Sequence, residues 1–227
     1  MASRVIAIDG PAGSGKTSTA KAVAAELELA HLDSGALYRA VTLVMLDAEL
    51  RLDERRIVEA ANSHGVGLRD VHGSFHPFVD GFDVSKVVRS QDVTAQVSQV
   101  AALPTVRDWV NGVLRQLVAD HPAGAVADGR DVGTVIFPDA ILKVFLTASL
   151  EERALRRAKQ EGRVDIDGDG VARLSRAIQE RDTADASRAV APLVAAPDAL
   201  HIDTTQLAFG EQVAAVVDKA KPLLGIA

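Results

Sequence analysis

The sequence contains no cysteine. Disulfide bonds, thiolate zinc sites and cysteine nucleophiles are therefore excluded. The first residues lack the basic and long apolar segments of a secretory signal peptide, and no apolar run approaches the roughly 20 residues that a membrane span needs. We therefore expect a cytoplasmic protein that does not associate with a membrane.

Basic residues are outnumbered by acidic ones. The chain has 25 Lys and Arg against 31 Asp and Glu, which gives a formal net charge of −6. Because phosphate backbones require a basic face, we do not expect a nucleic-acid partner, although a local basic pocket for one small anion stays open. The 227 residues, 48% of them apolar, suffice for one large domain with a sizeable core.

Short apolar runs alternate with helical patterns along the chain. The predicted buried strands are 5–9, 31–33, 125–128, 141–146 and 200–202, and the predicted helices include 34–50, 151–160, 171–188 and a C-terminal helix. Pro104 suits the first turn of a further helix, whose predicted buried face is Val106, Trp109, Val110, Val113 and Leu117. This alternation predicts an α/β fold with a parallel sheet covered on both faces.

Two segments have a different texture. Residues 62–88 are punctuated by glycine and proline, which predicts a small insertion rich in hairpins. Residues 161–170 are rich in glycine and aspartate, which predicts a loop. Their Asp165–Gly170 portion is similar to the start of an EF-hand, but Arg176 stands where calcium requires a bidentate glutamate. His72 and His76 lack the further ligands of a zinc site and are expected at the surface.

Residues 10–17 match the phosphate-loop pattern G-x-x-x-x-G-K-[ST] in full, between a predicted strand and a predicted helix. Its glycines let the backbone N–H groups point at one anion, and the helix N-terminus adds its positive dipole end. Lys16 can reach the β- and γ-phosphates of a nucleotide, and the Thr17 hydroxyl can hold Mg²⁺. We expect the ATP-binding residues to be Gly10, Pro11, Ala12, Gly13, Ser14, Gly15, Lys16, Thr17 and Ser18.

A phosphate loop alone does not identify a kinase, since regulatory GTPases and motor ATPases carry it too. The two asparagines, Asn62 and Asn111, are not followed by lysine, so the Asn-Lys-x-Asp motif that reads guanine is absent. Large ATPase machines are usually longer than this chain. A small transferase is therefore the favoured class.

Three groups of charged residues could bind a second, phosphorylated substrate. Arg181, Asp185 and Arg188 would share one face of a helix. A solvated, salt-bridged surface is the better explanation of such a triplet in isolation, but the helix follows a basic, glycine-containing segment, which favours a phosphate-binding role. The segment 128–134 follows a buried strand, where ligands of parallel sheets bind, and a polar turn is its alternative. A third group could close over the transferred phosphoryl, namely Arg153, Arg156, Arg157 and Arg163, but Arg156 and Arg163 fit an exposed charged helix as well.

Four further segments, 33–39, 98–107, 128–134 and 188–193, resemble bacterial cytidylate kinases, of the nucleoside monophosphate kinase family, in order and spacing. This resemblance runs nearly end to end. It implies a P-loop three-layer fold with a five-stranded parallel sheet, a monophosphate-binding insertion and a lid. We therefore expect a core of 1–60, 91–150 and 189–227, an insertion of about 61–90 and a lid of about 151–188.

The resemblance also implies roles for single residues. Ser98, Arg107 and Asp131 would read the cytosine edge. Arg39, Arg130 and Arg188 would hold the acceptor phosphate. Asp185 would take the sugar hydroxyls, with Arg181 nearby, and Ser34 and Tyr38 would line the pocket. The segment 182–188 has fewer arginines and aspartates than is usual in the family, which bears on sugar preference.

The sequence thus predicts a monomeric kinase of pyrimidine nucleotide metabolism that transfers the γ-phosphoryl group of ATP to CMP or dCMP. Lys16, Arg130, Arg153 and Arg157 would neutralise charge during transfer, and Thr17 and Asp128 would hold Mg²⁺. Two alternatives stay open. One is a kinase of UMP, AMP or a metabolite such as shikimate, and the other is an ATP-binding regulatory module without turnover.

Overall fold

The computed structural model describes residues 4–163 and 165–226. The strands in these ranges are β1 (Val5–Asp9), β2 (Ala30–Asp33), β3 (Gly67–Val71), β4 (Ser74–Val79), β5 (Phe82–Asp83), β6 (Ala125–Gly129), β7 (Leu142–Thr147) and β8 (Leu200–Asp203). The α-helices are α1 (Lys16–Glu26), α2 (Ser34–Asp47), α3 (Glu54–Ser63), α4 (Gln91–Val100), α5 (Pro104–Asp120), α6 (Leu150–Gln160), α7 (Gly168–Ala186) and α8 (Phe209–Leu224). A 3₁₀ turn (Val87–Arg89) and a short π-helix (Val132–Ile136) complete these elements.

The strands form one sheet in the order β3-β4-β2-β6-β1-β7-β8, with β5 paired to β4. The predicted parallel core of five strands is confirmed, because β2, β6, β1, β7 and β8 all pair in parallel. Within the described residues, however, the sheet has eight strands. β4 continues it from β2 through the register pair His31 and Ser74, and the antiparallel β3 and β5 flank β4.

Apolar sequence runs explain which strands lie at the centre. Every residue of β1 and of β6 is buried, as expected for strands covered by helices on both faces. One apolar cluster packs α2, α3, α4 and α5 on one face of the sheet, and a second packs α1 and α8 on the other. Both carboxyl ends, at Asp9 and Gly129, therefore open at the same edge. No α-helix of the described residues combines the length and apolar character needed to span a bilayer.

Helix α3 was not predicted, although the sequence contains its signals. The Asp53 side chain caps it by accepting hydrogen bonds from the N–H groups of Arg55 and Arg56, and Ile57 and Ala61 are buried at i, i+4 spacing. The predicted buried face of α5 was partly wrong. Val106 and Val110 are buried, and Trp109, Val113 and Leu117 are partly buried against the same apolar cluster. The fully buried face, however, continues through Leu114 and Val118, with Arg107 and Asn111 buried beside them.

The shifted face of α5 can be tested by truncating two leucines of the same helix. Leu114 is fully buried, whereas Leu117 is only partly buried. We expect Leu114→Ala to lower the free energy of unfolding by about 2–5 kcal/mol, because it removes apolar contacts and leaves a cavity. Leu117→Ala should lower it by clearly less. Urea unfolding measures both values, and equal losses would contradict this assignment.

Candidate active site

The loop between β1 and α1 brings backbone N–H groups to the carboxyl edge of the sheet. β1 lies between β6 and β7. Gly13 and Gly15 have φ values of 77° and 91°, which residues with a Cβ adopt only with strain. Helix α1 then begins at Lys16 with no side-chain cap and no acidic residue in its first turn. Its first N–H groups and its positive dipole end therefore suit a phosphate.

Side chains from distant segments hold this loop in place. Arg156 of α6 donates to the backbone carbonyl of Ser14 at 3.3 Å and to the carbonyl of Thr204 at 2.7 Å. The buried Gln212 of α8 donates to the Thr19 hydroxyl at the start of α1. Arg156 is thus a structural support of the loop, which the exposed-helix alternative did not predict. Arg163, in contrast, is exposed and lies 3.5 Å from Glu161.

The ammonium group of Lys16 lies among other cations. Its Nζ donates to the carbonyl of Pro11 at 3.1 Å. Burial lowers the pKa of Lys16 to about 7, and the positive charges of Arg130 and Arg181 add to this effect, against the opposing charge of Asp128. A polyanion bound here would reverse the balance and restore the charged form of the lysine.

Thr17 and Asp128 form a pair of oxygen donors beside the loop. The Thr17 hydroxyl donates to Oδ2 of Asp128 at 2.5 Å, and Asp128 is buried at the end of β6. The other carboxylate oxygen, Oδ1, lies 2.9 Å from Nε2 of the buried His31. Among the described residues, no group of three His, Cys, Asp or Glu side chains could hold a metal alone. Mg²⁺ fits this donor set, because it takes few protein ligands and completes its shell with water and substrate phosphates.

A cleft of about 330 Å³ adjoins the loop and is lined by more basic than acidic side chains. Its basic residues are Lys16, Arg39, Arg89, Arg107, Arg130, Arg157, Arg181 and Arg188, and its acidic residues are Asp33, Asp128, Asp131, Glu161 and Asp185. Of the residues expected at the acceptor, Ser34, Tyr38 and Ser98 also line it. The structure therefore brings all the expected acceptor residues to one cleft.

Asp185 joins two arginines in this cleft. Its carboxylate accepts hydrogen bonds from Nε of Arg130, at 2.7 Å, and from Arg188. Burial raises the pKa of Asp185, but the two guanidinium groups outweigh it and hold the pKa below its usual range. Arg130 also donates to the carbonyl of Gly10 at 3.0 Å, so it links the phosphate loop to the end of α7. The Ser98 hydroxyl lies 3.4 Å from Asp185.

Arg107 of α5 and Asp131, which follows β6, form a buried ion pair in the cleft. Both side chains are at most 5% exposed, and Arg107 also donates to the carbonyl of Ala101 at 2.9 Å. The guanidinium group lies 5.5 Å from the ring centre of Tyr38. Nε of Arg107 is buried without a hydrogen-bond partner among the described residues. This pair is a rigid polar surface with capacity for a further hydrogen bond.

Arg39 and Arg181 differ from the other arginines that line the cleft, because neither has a carboxylate within ion-pair distance in the described part of the chain. Arg39 donates to the carbonyl of Val88 and to the Thr94 hydroxyl. Burial and the charge of Arg181 lower the pKa of Arg39 to about 10. Nε of Arg181 is buried and has no partner among these residues. Such uncompensated positive charge indicates an anion site.

Helices α6 and α7 contact the loop through its backbone. Asp182 of α7 accepts a hydrogen bond from the N–H group of Ala12 at 2.9 Å and also pairs with Arg153 of α6. Arg153 in turn donates to the carbonyl of Ala12 at 3.1 Å. Arg153 is therefore engaged with the loop and does not line the cleft, whereas Arg157 lines it and pairs with Glu161.

Comparison with known proteins agrees with this geometry. The sequence profile described as cytidylate kinase matches residues 6–222. A cytidylate kinase of Streptococcus sanguinis is 43% identical over 221 residues, which are 96% of this chain and 97% of that protein. A cytidylate kinase of Magnetococcus marinus is 42% identical over 230 residues, with 99% of both chains covered.

The chain belongs to the cytidylate kinase family. A bifunctional pantoate ligase/cytidylate kinase of Synechococcus is 44% identical over 226 residues. The alignment covers 97% of this chain but 41% of that relative. The family that the sequence motifs predicted is thus confirmed.

Some features of this cytidylate kinase family member differ from the sequence expectations. Helix α7 ends at Ala186, so Arg188 lies beyond it and does not share a helix face with Arg181. From the segment after the helix, the Arg188 side chain donates a hydrogen bond to Asp185. The predicted loop 161–170 includes residue 164, which lies outside the described residues. Its Asp167 caps α7 by accepting from the N–H group of Gly170 at 2.7 Å. Helix α7 thus begins at Gly168, inside the predicted loop and before the predicted start at residue 171, because Asp167 caps it there.

Sequence reasoning also missed a buried carboxylate. Asp9, at the end of β1, accepts hydrogen bonds from the N–H groups of Val132 and Gly133 at 2.8 and 2.7 Å. Burial raises its pKa to about 6. These bonds fix the turn that carries Arg130 and Asp131. A polar residue that ends an otherwise apolar buried strand was the available signal.

The paired and unpaired arginines predict opposite effects on stability. Arg107→Met would leave the carboxylate of Asp131 buried without its partner, so we expect the free energy of unfolding to fall by about 3–5 kcal/mol. Arg181→Met removes a cation without a carboxylate partner among the described residues, so we expect no loss or a gain. Urea unfolding without nucleotides measures both, and a similar loss in the two variants would contradict this assignment.

Proposed function

We propose that this protein transfers the γ-phosphoryl group of ATP to CMP or dCMP and releases ADP with CDP or dCDP. One observation carries the proposal. Lys16 of the phosphate loop and the uncompensated guanidinium groups of Arg39 and Arg181 line the same cleft. Two polyanions can approach each other there, because positive side chains offset their repulsion. Membership of the cytidylate kinase family supports cytosine as the base of the acceptor nucleotide.

The donor side would consist of the phosphate loop. Its proposed ATP-binding residues are the nine predicted from the motif, 10–18. Two features support this assignment: no side chain of the described residues caps the first N–H groups of α1, and the ammonium of Lys16 lies at the loop. Ser18 is exposed on α1, so its proposed contribution is its backbone N–H group.

The acceptor side would consist of three sets of contacts. Arg39, Arg130 and Arg188 are proposed to hold the phosphate, with Arg181 between them and Lys16. Ser98, Arg107 and Asp131 are proposed to bind the cytosine, whose amino and carbonyl groups could pair with the carboxylate and guanidinium. Asp185 is proposed to meet the sugar, and its oxygens would be shared with Arg130 and Arg188. Ser34 and Tyr38 would complete the wall.

Thr17 and Asp128 are the proposed residues for Mg²⁺, and their oxygen donors 2.5 Å apart support this choice. When bound, the ion would neutralise phosphate charge and orient the phosphate oxygens. The protein's own contribution is position and charge. An oxygen of the acceptor phosphate forms a bond to the γ-phosphorus of ATP. At the same time the bond from that phosphorus to the oxygen that bridges the β- and γ-phosphates breaks, and this oxygen leaves as part of ADP. No proton need be removed, because the acceptor phosphate is already ionised.

Lys16, Arg130, Arg153 and Arg157 are proposed to neutralise charge in this step. The contacts of Arg153 indicate that it acts through the loop carbonyl of Ala12, whereas Arg157 can act in the cleft. We also propose that the insertion of about 61–90 and the lid of about 151–188 move relative to the core. Exclusion of water by the lid would prevent hydrolysis of ATP. Action as a cytoplasmic monomer without nucleic acid is part of the proposal.

The proposal is tested by measuring ADP release with ATP, Mg²⁺ and a panel of acceptors. We expect CMP and dCMP to be preferred over UMP, AMP and shikimate. Preference for another acceptor would contradict the assignment of cytosine as the recognised base. No ADP release with any acceptor would contradict the kinase proposal and favour an ATP-binding module without turnover. Arg188→Ala should lower kcat/KM for CMP roughly 10- to 150-fold, since a hydrogen bond to a charged group contributes about 1.5–3 kcal/mol. Arg163→Ala, at an exposed arginine of the lid, is the matched control.

The lowered pKa of Lys16 predicts proton uptake when ATP binds. At pH 8 the lysine would be mostly neutral without ligand, because its pKa is about 7. The phosphates favour its charged form, so we expect uptake approaching one proton per ATP. Calorimetry in buffers of different ionisation enthalpy measures this number. Lys16→Arg, which stays charged, should bind ATP with little uptake, and equal uptake in both proteins would contradict the assignment.

A further inference from the structure

His31 lies where the insertion joins the core of the sheet. It is in the middle of β2, is 3% exposed, and stands in register with Val126 of β6 and with Ser74 of β4. Its N–H group donates to the carbonyl of Gly73 at 2.9 Å. The imidazole therefore occupies a fixed position between the insertion and Asp128.

Both ring nitrogens of His31 have partners. Nε2 lies 2.9 Å from Oδ1 of Asp128, and Nδ1 lies 3.1 Å from the Ser74 hydroxyl. An ionised carboxylate only accepts hydrogen bonds, so Nε2 must carry a proton. In the neutral ring, Nδ1 then accepts a hydrogen bond from the Ser74 hydroxyl. The hydroxyl, both ring nitrogens and the Asp128 carboxylate thus all have hydrogen-bond partners.

The two oxygens of Asp128 are thus fixed from opposite sides. Oδ2 accepts from Thr17 at 2.5 Å, and Oδ1 accepts from His31. If Thr17 and Asp128 both bind a cation, the single hydrogen bond between them does not fix the plane of the Asp128 carboxylate. The bond from His31 holds that plane, as hydrogen bonds to ligating carboxylates do in metal sites.

We propose that His31 is a positioning residue that orients the carboxylate of Asp128 towards the divalent cation. This inference rests on the proposed function, in which Thr17 and Asp128 hold Mg²⁺. His31 does not touch a substrate. Its part is to donate one hydrogen bond from Nε2, and the contact with Ser74 keeps the ring in the tautomer that makes this donation possible.

Two substitutions separate the two ring nitrogens. In His31→Gln the side-chain amide N–H group can stand near the place of Nε2, so the bond to Asp128 can be kept. In His31→Asn the shorter amide can reach Ser74 but not Asp128. Asp128→Asn removes the carboxylate itself. His201→Asn is the control for the loss of an imidazole elsewhere, because His201 is exposed on β8 and packs its ring against Phe145.

The readout is binding of Mn²⁺, which prefers the same oxygen ligands as Mg²⁺ and has an electron paramagnetic resonance signal. It is measured with the full chain and ADP at equal concentrations, against ADP alone. We expect tighter binding by the wild type and by His201→Asn than by ADP alone. His31→Asn should weaken binding by about 10- to 100-fold. His31→Gln should bind Mn²⁺ with nearly the affinity of the wild type. Both variants should have similar unfolding midpoints, so that a difference in binding does not come from a difference in stability.

The outcomes distinguish this inference from the function on which it rests. If wild-type protein and Asp128→Asn bind Mn²⁺ equally, the metal assignment fails and this inference with it. If only Asp128→Asn is weak, the role of His31 alone is overturned. Equal weakening by His31→Asn and His31→Gln would also overturn it. Should the variants not fold, ¹⁵N NMR of the wild-type ring decides the matter, because a ring without a proton on Nε2 cannot donate to Asp128.

Discussion

Positive charge without a matching carboxylate is the constraint on which this site depends. Lys16, Arg39 and Arg181 converge at the carboxyl edge of the sheet, and burial together with their neighbours lowers the pKa of each. Such an arrangement opposes folding, because each cation loses hydration without gaining a counter-ion. The two apolar clusters on either face of the sheet supply the stability that offsets it. A bound polyanion would supply the missing charge, so affinity for phosphate and instability of the free site have one cause.

The ion pair of Arg107 and Asp131 has the opposite character. The two side chains already neutralise each other, so they present a fixed donor and a fixed acceptor instead of net charge. Fixed polar groups of this kind discriminate among ligands, because an unsuitable ligand leaves them unpaired. The cleft is thereby divided into a charged region beside the phosphate loop and a neutral polar region beside α5. That division suits an acceptor with a phosphate at one end and a polar base at the other.

The sequence predicted the parts of the fold that depend on local pattern. The β1 and β6 segments are apolar up to the aspartates near their carboxyl ends, and the phosphate-loop motif follows β1 directly. It did not predict the attachment of β4 to β2, since one register pair decides it and strand pairing is set by tertiary contacts. The burial of Arg107 on α5 depends on Asp131, 24 residues away. The support of Ser14 by Arg156, 142 residues away, likewise leaves no local trace.

The proposed lid and the charge of the cleft are linked, because α7 belongs to the proposed lid and also contributes Arg181 to the cleft. Asp182 of α7 attaches that helix to the loop at Ala12, and Arg181, its neighbour in the chain, places a guanidinium near Lys16. Any motion that carries α7 away from the core would separate Arg181 from Lys16 and Arg130 and relieve their repulsion. Bound phosphates would turn this repulsion into a net attraction between α7 and the core, since each cation then interacts with an anion instead of another cation. A ligand shifts a conformational equilibrium only through such a difference between the two states. If the proposed lid moves, the electrostatics of the cleft therefore give nucleotides a direct physical means of favouring the arrangement in which α7 lies against the core.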